Sequence, residues 1–264
     1  MKKRSGIFYV LLLLLAIVVT ACAQQTNNAT DKKSVKTEHK QTNNKKKKPK
    51  MTSKKTILST LKNSNKKTIT YDALGDSLSV GLFSNTKATR FTTQFANDLQ
   101  KGTDKKVIEN NTSLAGKTVT NFGLPMVQKV IDDNPDLVTI EFGTNDAAYG
   151  TDATNFGNFS RNLDTVVSKV KNGTHAQILL MTTWSPTGGQ FEKNDVVYDQ
   201  KIEEIGKKYN IPVVDLSTIW KGDPSVTKND SGYSDVYSIQ KDSFHPNQLG
   251  HDKIAKLLYQ TVQK

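Results

Sequence analysis

The residues best suited to chemistry in this 264-residue chain are a serine, a histidine and an aspartate. Ser77 follows Ala73-Leu74-Gly75-Asp76 at the end of an apolar run, while Asp242 and His245 sit three residues apart in Asp242-Ser243-Phe244-His245-Pro246-Asn247. A serine hydroxyl is a poor nucleophile at neutral pH. It must pass its proton to a base, normally a histidine oriented by a carboxylate, while fixed donors hold the developing oxyanion. Alone, Gly-Asp-Ser is ordinary turn chemistry. Its weight comes from the other pieces: the Asp242 and His245 spacing, which lets the carboxylate hold the ring while its other nitrogen faces Ser77, and two loops able to supply donors. Gly116 offers a backbone N–H with no side chain in the way, and Asn145, in Gly143-Thr144-Asn145-Asp146, offers an uncharged side-chain amide.

Other readings of these residues are weaker. Gly116-Lys117-Thr118 has the end of a phosphate-binding loop, but that motif requires glycine at position 111, which is Asn111. His39, His175 and His251 have no carboxylate so placed; they read as solvated or structural, and no His/Cys cluster offers a metal site. No cofactor is called for.

These residues need elements to hold them. Thr68 to Leu74, Lys105 to Asn111, Leu137 to Phe142, Gln177 to Thr183 and Ile211 to Leu216 read as strands. The spacing of Phe91, Phe95 and Leu99 predicts a helix reaching about Gln100; further helices are predicted over 119–132, 159–170, 196–209 and 248–261. Strands alternating with helices predict an α/β domain over 68–264 with a mostly parallel five-stranded sheet covered on both faces. Its ligands would lie at the carboxyl ends of the strands. Ser77, Gly116 and Asn145 all follow predicted strands, so all three are expected on that edge.

The first 67 residues have a different composition. Lys2, Lys3 and Arg4 precede a 13-residue apolar run, Ile7 to Val19, and then Thr20-Ala21-Cys22. This has the form of a signal peptide over 1–21 and is too short for a transmembrane helix. The small residues before Cys22, the chain's one cysteine, resemble a bacterial lipobox. On that resemblance Cys22 is lipidated, and the protein is an extracytoplasmic lipoprotein anchored to the membrane. Residues 22–67, rich in Asn, Thr, Gln and Lys, are expected to be a disordered tether spanning about 35–40 Å as a flexible coil. Residues 1–67 hold 17 of the 37 Lys and Arg and 2 of the 25 Asp and Glu, a balance of +15 against −3 for the remainder. The basic character belongs to the tail, where it suits anionic lipids, wall polymers or plain solvation. It gives no basic folded face for nucleic acid.

Gly75-Asp76-Ser77-Leu78, the loop at Gly116, Gly143-Thr144-Asn145-Asp146 and Asp242-Ser243-Phe244-His245-Pro246, in this order, resemble the SGNH (GDSL-type) hydrolase family over residues 68–262. No G-x-S-x-G is present, so the chain does not resemble an α/β-hydrolase with a nucleophile elbow. The resemblance implies a flavodoxin-like three-layer α/β/α fold. It also implies Ser77 as nucleophile, His245 as general base and then acid, and Asp242 as orienting carboxylate, with the Ser77 N–H, Gly116 N–H and Asn145 side chain as oxyanion donors. The implied activity is hydrolysis of carboxylic esters through an acyl-serine, as a lipase or acylhydrolase. Two alternatives stand beside it: an O-acetylesterase acting on cell-wall glycans, and a catalytically silent surface-binding lipoprotein.

Overall fold

The computed structural model describes residues 55–186, 191–228 and 232–264. The predicted signal segment 1–21, Cys22 and residues 23–54 of the predicted tether lie outside the described residues.

In chain order the elements are helix α1 (Ile57–Lys62), strand β1 (Thr68–Gly75), the one-turn helix α2 (Ser77–Val80), α3 (Phe91–Thr103), β2 (Lys106–Ser113), α4 (Leu124–Asp132), β3 (Leu137–Glu141), the short α5 (Thr144–Ala147), α6 (Ala153–Gly173), β4 (Gln177–Met181), α7 (Glu192–Tyr209), β5 (Val213–Val214), the short α8 (Ser217–Trp220), the two-residue strands β6 (Tyr233–Ser234) and β7 (Ile239–Gln240), and α9 (Gln248–Val262). Strands β1 to β5 form one parallel sheet in the order β2-β1-β3-β4-β5. This is the doubly wound order, with its switch point between β1 and β3. The three-layer fold is therefore as expected.

Alternation along β1 divides the core. Ile69, Tyr71 and Ala73 face one layer with Phe91, Phe95 and Leu99 of α3 and Ile254 and Leu258 of α9. Leu74 faces the other layer, with Val127 of α4, Phe159, Leu163 and Val166 of α6, and Tyr198 and Ile202 of α7. The four-residue repeat Phe91, Phe95, Leu99 is fully buried, as an amphipathic helix requires. Tyr71 meets Phe95 edge to face at 5.3 Å, and its hydroxyl shares a 2.9 Å hydrogen bond with Thr139 Oγ1.

The structure departs from the sequence expectation in several places. The helix predicted over 119–132 is split. Pro125 has no N–H to donate back along the helix, so the chain opens into a wide turn over Val119–Gly123, in which the Leu124 N–H reaches Val119 O, before α4 proper. The fifth strand contracts to Val213–Val214, because Pro212 lacks a ladder donor and Leu216 gives its N–H to Thr182 Oγ1 at 2.8 Å instead. Helices α6 and α7 start earlier than predicted, α6 because Asp152 caps it by accepting from the N–H groups of Thr154 and Asn155. The β6–β7 hairpin carried no recognisable sequence signal.

The tether boundary at 67 is also corrected. Ile57–Lys62 is a helix capped by a reciprocal Thr56–Ser59 pair, and it packs Leu61, 4% exposed, into the layer formed by α3 and α9, with Ile57 and Leu58 beside it. Lys105 fastens its far end by donating to Leu61 O (2.8 Å), Ser64 O (2.7 Å) and Ser64 Oγ (2.8 Å), which satisfies carbonyls that a helix end leaves open. Three apolar residues in six are enough to attach this segment, although the polar sequence around them hides the signal. Replacing Leu61 by Ala is expected to destabilise the fold by roughly 2–5 kcal/mol, read as a lower urea midpoint. An unchanged midpoint would return α1 to the tether.

Candidate active site

All five strands of the sheet run parallel, so the loops after β1, β2 and β3 emerge on one edge. Ser77 is the first residue of α2, immediately after the turn that ends β1. Asp76 shapes that turn: its side chain caps α2 by accepting from the Leu78 N–H at 2.9 Å. Ser77 is left 8% exposed.

Asp242 and His245 arrive from the loop before α9. Asp242 Oδ1 accepts the Phe244 and His245 N–H groups, each at 2.9 Å, which folds the loop around the carboxylate. Its Oδ2 lies 2.8 Å from His245 Nδ1, and His245 Nε2 lies 2.8 Å from Ser77 Oγ. With Nδ1–H donated to Asp242, Nε2 is left to accept from the serine hydroxyl. The loop is fixed at several further points. Asn247 caps α9 by accepting from the Gly250 N–H at 3.1 Å and donates to Ser225 O at 2.7 Å. Trp184, buried after β4, donates its indole N–H to Phe244 O at 2.8 Å. Phe83 and Phe244 stand edge-on to the imidazole, each with centroids 5.5 Å away. Phe83 holds this position with φ +68°, a left-handed backbone that is costly for a bulky residue and is sustained here by surrounding structure.

Asn145 and Gly116 come from the neighbouring loops. Asn145 Nδ2 donates to Asp76 Oδ2 at 2.7 Å and to Lys117 O at 3.1 Å. Its two amide protons therefore tie the loop after β3 to the Ser77 turn and to the loop after β2. Gly116 has φ +73°, and a Cβ there would meet nothing within 4 Å, so glycine is favoured by backbone conformation and not by crowding. The Leu114 N–H donates to Gly75 O at 3.2 Å, holding this loop beside β1.

Three buried carboxyl groups crowd this edge. Burial raises Asp76, Glu141 and Asp146 above the usual carboxylate range, Asp146 to about 7. Asp146 accepts the Val119 N–H at 3.2 Å. Glu141 Oε2 accepts the Asp76 N–H at 3.3 Å and the Ser79 hydroxyl at 3.0 Å. Asp242 behaves oppositely. Partial burial alone would raise it, but hydrogen bonds from the His245 ring and from two backbone N–H groups outweigh that and hold it below its ordinary value.

Ser77, His245 and Asp242 are thus joined in one hydrogen-bonded chain, and Asn145 and the Gly116 loop are tied to the same turn. Cys22 lies outside the described residues. His251 is a core residue: fully buried, it gives Nε2–H to Leu82 O at 2.9 Å, and burial pushes it down to about 4, so it stays neutral. Sequence reasoning missed Phe83, Trp184 and Glu141. Only Glu141 had a signal, a carboxylate inside the run Leu137 to Phe142, whose other residues are apolar or Thr139. Among the described residues no group of three or more His, Cys, Asp or Glu could hold a metal ion.

The depressed Asp242 sets a sign for stability against pH. A carboxylate lowered on folding stabilises above its unfolded value, and that contribution is lost as pH falls through the folded value. In urea unfolding between pH 3 and 7, the wild type is expected to exceed Asp242→Asn most at pH 6–7, with the gap closing below about pH 4, the ordinary aspartate range. A gap that widens in acid would contradict this.

A comparison with curated protein sequences gives no match. Among solved structures, the fold is similar to a psychrotrophic esterase from Pseudoalteromonas sp. (20% identity, 74% of this chain and 96% of that one, TM-score 0.57) and to an acetyl xylan esterase (22% identity, 74% and 100%, TM-score 0.58). It is similar also to a variant of an acetyl-xylooligosaccharide esterase from Geobacillus (18% identity, 74% and 94%, TM-score 0.59). The model of the GDSL-like lipase/acylhydrolase family matches residues 73–253, a span that opens four residues before Ser77 and closes beyond His245. The chain belongs to the GDSL-like lipase/acylhydrolase family.

Proposed function

We propose that this protein hydrolyses carboxylic esters through an acyl intermediate on Ser77, with His245 as base and then acid and Asp242 as its orienting carboxylate. The observation that carries the reading is the unbroken hydrogen-bonded chain from Asp242 through His245 to Ser77 Oγ, 2.8 Å at each link. Ser77 Oγ attacks the ester carbonyl as its proton passes to His245 Nε2. The carbonyl electron pair becomes an oxyanion held by the N–H groups of Ser77 and Gly116 and the amide of Asn145. Collapse expels the alcohol, which leaves with the proton from His245. Water then repeats the sequence, releasing the acid and restoring Ser77. Because both Asn145 protons are engaged in the free site, the oxyanion takes one of them, and the longer bond to Lys117 O is the one to yield.

Several similar structures are esterases of acetylated glycans, which makes short acyl groups on a polysaccharide the first substrates to test, alongside acyl lipids. We further propose that the protein acts outside the cytoplasm, held at the membrane through a lipidated Cys22. The resemblance of the preceding residues to a lipobox supports this. Membrane fractionation is expected to find the wild type in the membrane and Cys22→Ser released. Membrane-bound Cys22→Ser would remove the anchor from the account.

Hydrolysis of p-nitrophenyl esters from acetate to palmitate, with O-acetylated xylan and mannan in parallel, tests the activity. Ser77→Ala is expected to abolish turnover on every ester. Asn145→Ala is expected to lower kcat on the order of 10²–10³-fold, the usual effect of removing one oxyanion donor. Near-wild-type turnover by either variant would sink the role given to that residue.

A further inference from the structure

Glu141 is the last residue of β3, paired in register with Gly75 of β1. It is fully buried at the end of a strand whose other residues are apolar or Thr139. A Cβ on Gly75 would stand 2.8 Å from Glu141 Oε2 and 2.3 Å from Ser79 Oγ. The glycine of Gly-Asp-Ser is thus the space into which this carboxyl group fits. Through Oε2 it accepts the Asp76 N–H and the Ser79 hydroxyl, so it grips the Ser77 turn on both sides of the serine. Asp76 in turn accepts the Leu78 N–H and the amide of Asn145. A continuous set of contacts therefore runs from Glu141 through Asp76 to Asn145.

We infer that Glu141 is a positioning residue for ester hydrolysis: a buried carboxyl group that acts through Asp76 to aim the amide of Asn145. The inference rests on the oxyanion role proposed above for Asn145. Glu141 and Asp76 are too close and too buried for both to carry charge. Burial raises both groups; the Asp76 charge pushes Glu141 further, well above its usual range, while the Leu78 and Asn145 donors offset part of the rise at Asp76, so Glu141 is the one to hold a proton first. A side-chain hydrogen bond between the two carboxyl groups works in the same direction, lowering Asp76 and raising Glu141, and the contacts of Glu141 Oε2 hold the turn itself. The division of labour follows. Glu141 keeps its proton, and Asp76 keeps the charge that holds one Asn145 proton and leaves the other to an oxyanion. This arrangement resembles the hold of Asp242 on His245.

The test is a double-mutant cycle on the full chain, with rates expressed per site titratable by an organophosphonate, so that misfolded protein does not count. Glu141→Gln, neutral and of the same shape, is expected to retain kcat within about 3-fold. Glu141→Leu is expected to lower kcat roughly 30- to 100-fold, the scale of an ångström's misplacement, with KM within about 3-fold because ground-state binding is untouched. In an Asn145→Ala background the same Glu141→Leu change is expected to cost less than about 3-fold, because both substitutions disable one contact line. Should Glu141→Leu fail to fold, Glu141→Asp, which withdraws the acid by one methylene, takes its place in the cycle. Equal losses in both backgrounds, or wild-type kcat in Glu141→Leu, would overturn the inference and leave the esterase reading intact. An inert Asn145→Ala would overturn the oxyanion assignment and, with it, the inference.

Discussion

The hydrogen bond between His245 Nε2 and Ser77 Oγ joins two loops 168 residues apart in the chain, and much of the structure exists to make that distance 2.8 Å. One end is set by the carboxyl edge of β1 and the single turn of α2. The other is set by a loop anchored at Trp184, at Asn247 and at the start of α9. None of these three anchors takes part in the chemistry. A base must be within hydrogen-bond reach of the proton it takes, and a loop free to move by an ångström would lose that reach.

The same edge concentrates charge in a way the fold must manage. Asp242 is stabilised as an anion by the donors around it, while Asp76, Glu141 and Asp146 are buried where ionisation is costly. An oxyanion forming here would meet carboxylates as well as donors. Keeping some of these groups protonated limits that repulsion, and using Asp76 to orient an amide turns one remaining charge to advantage. The site is thus a set of acids whose environments push them apart, a pattern associated with functional clefts.

Much of this was legible in the residues themselves. The regular alternation of β-branched runs with four-residue apolar repeats announces a parallel α/β sheet, and the sheet puts Ser77, Gly116 and Asn145 on one edge whatever their side chains do. Asp242 and His245 are legible because three residues of loop can close a carboxylate onto an imidazole. What was not legible depends on context that only folding supplies. Phe83 beside the imidazole, Trp184 under Phe244 and the helix Ile57–Lys62 are tertiary choices made by short, ordinary sequences. Pro125 was visible but its effect, a widened turn that splits the predicted helix, was not. The Asp76 and Glu141 pairing follows from the register of β1 against β3, which no local pattern encodes.

The most direct measurement is intact-mass and peptide-level mass spectrometry of the wild-type protein after exposure to a fluorophosphonate, with Asp242→Asn treated identically. An activated serine is phosphonylated stoichiometrically, so the account predicts one adduct per chain on the peptide carrying Ser77, formed much more slowly in Asp242→Asn because the ring loses its orienting carboxylate. No adduct on Ser77, or labelling at the same rate in both proteins, would contradict the claim that Asp242 and His245 activate Ser77.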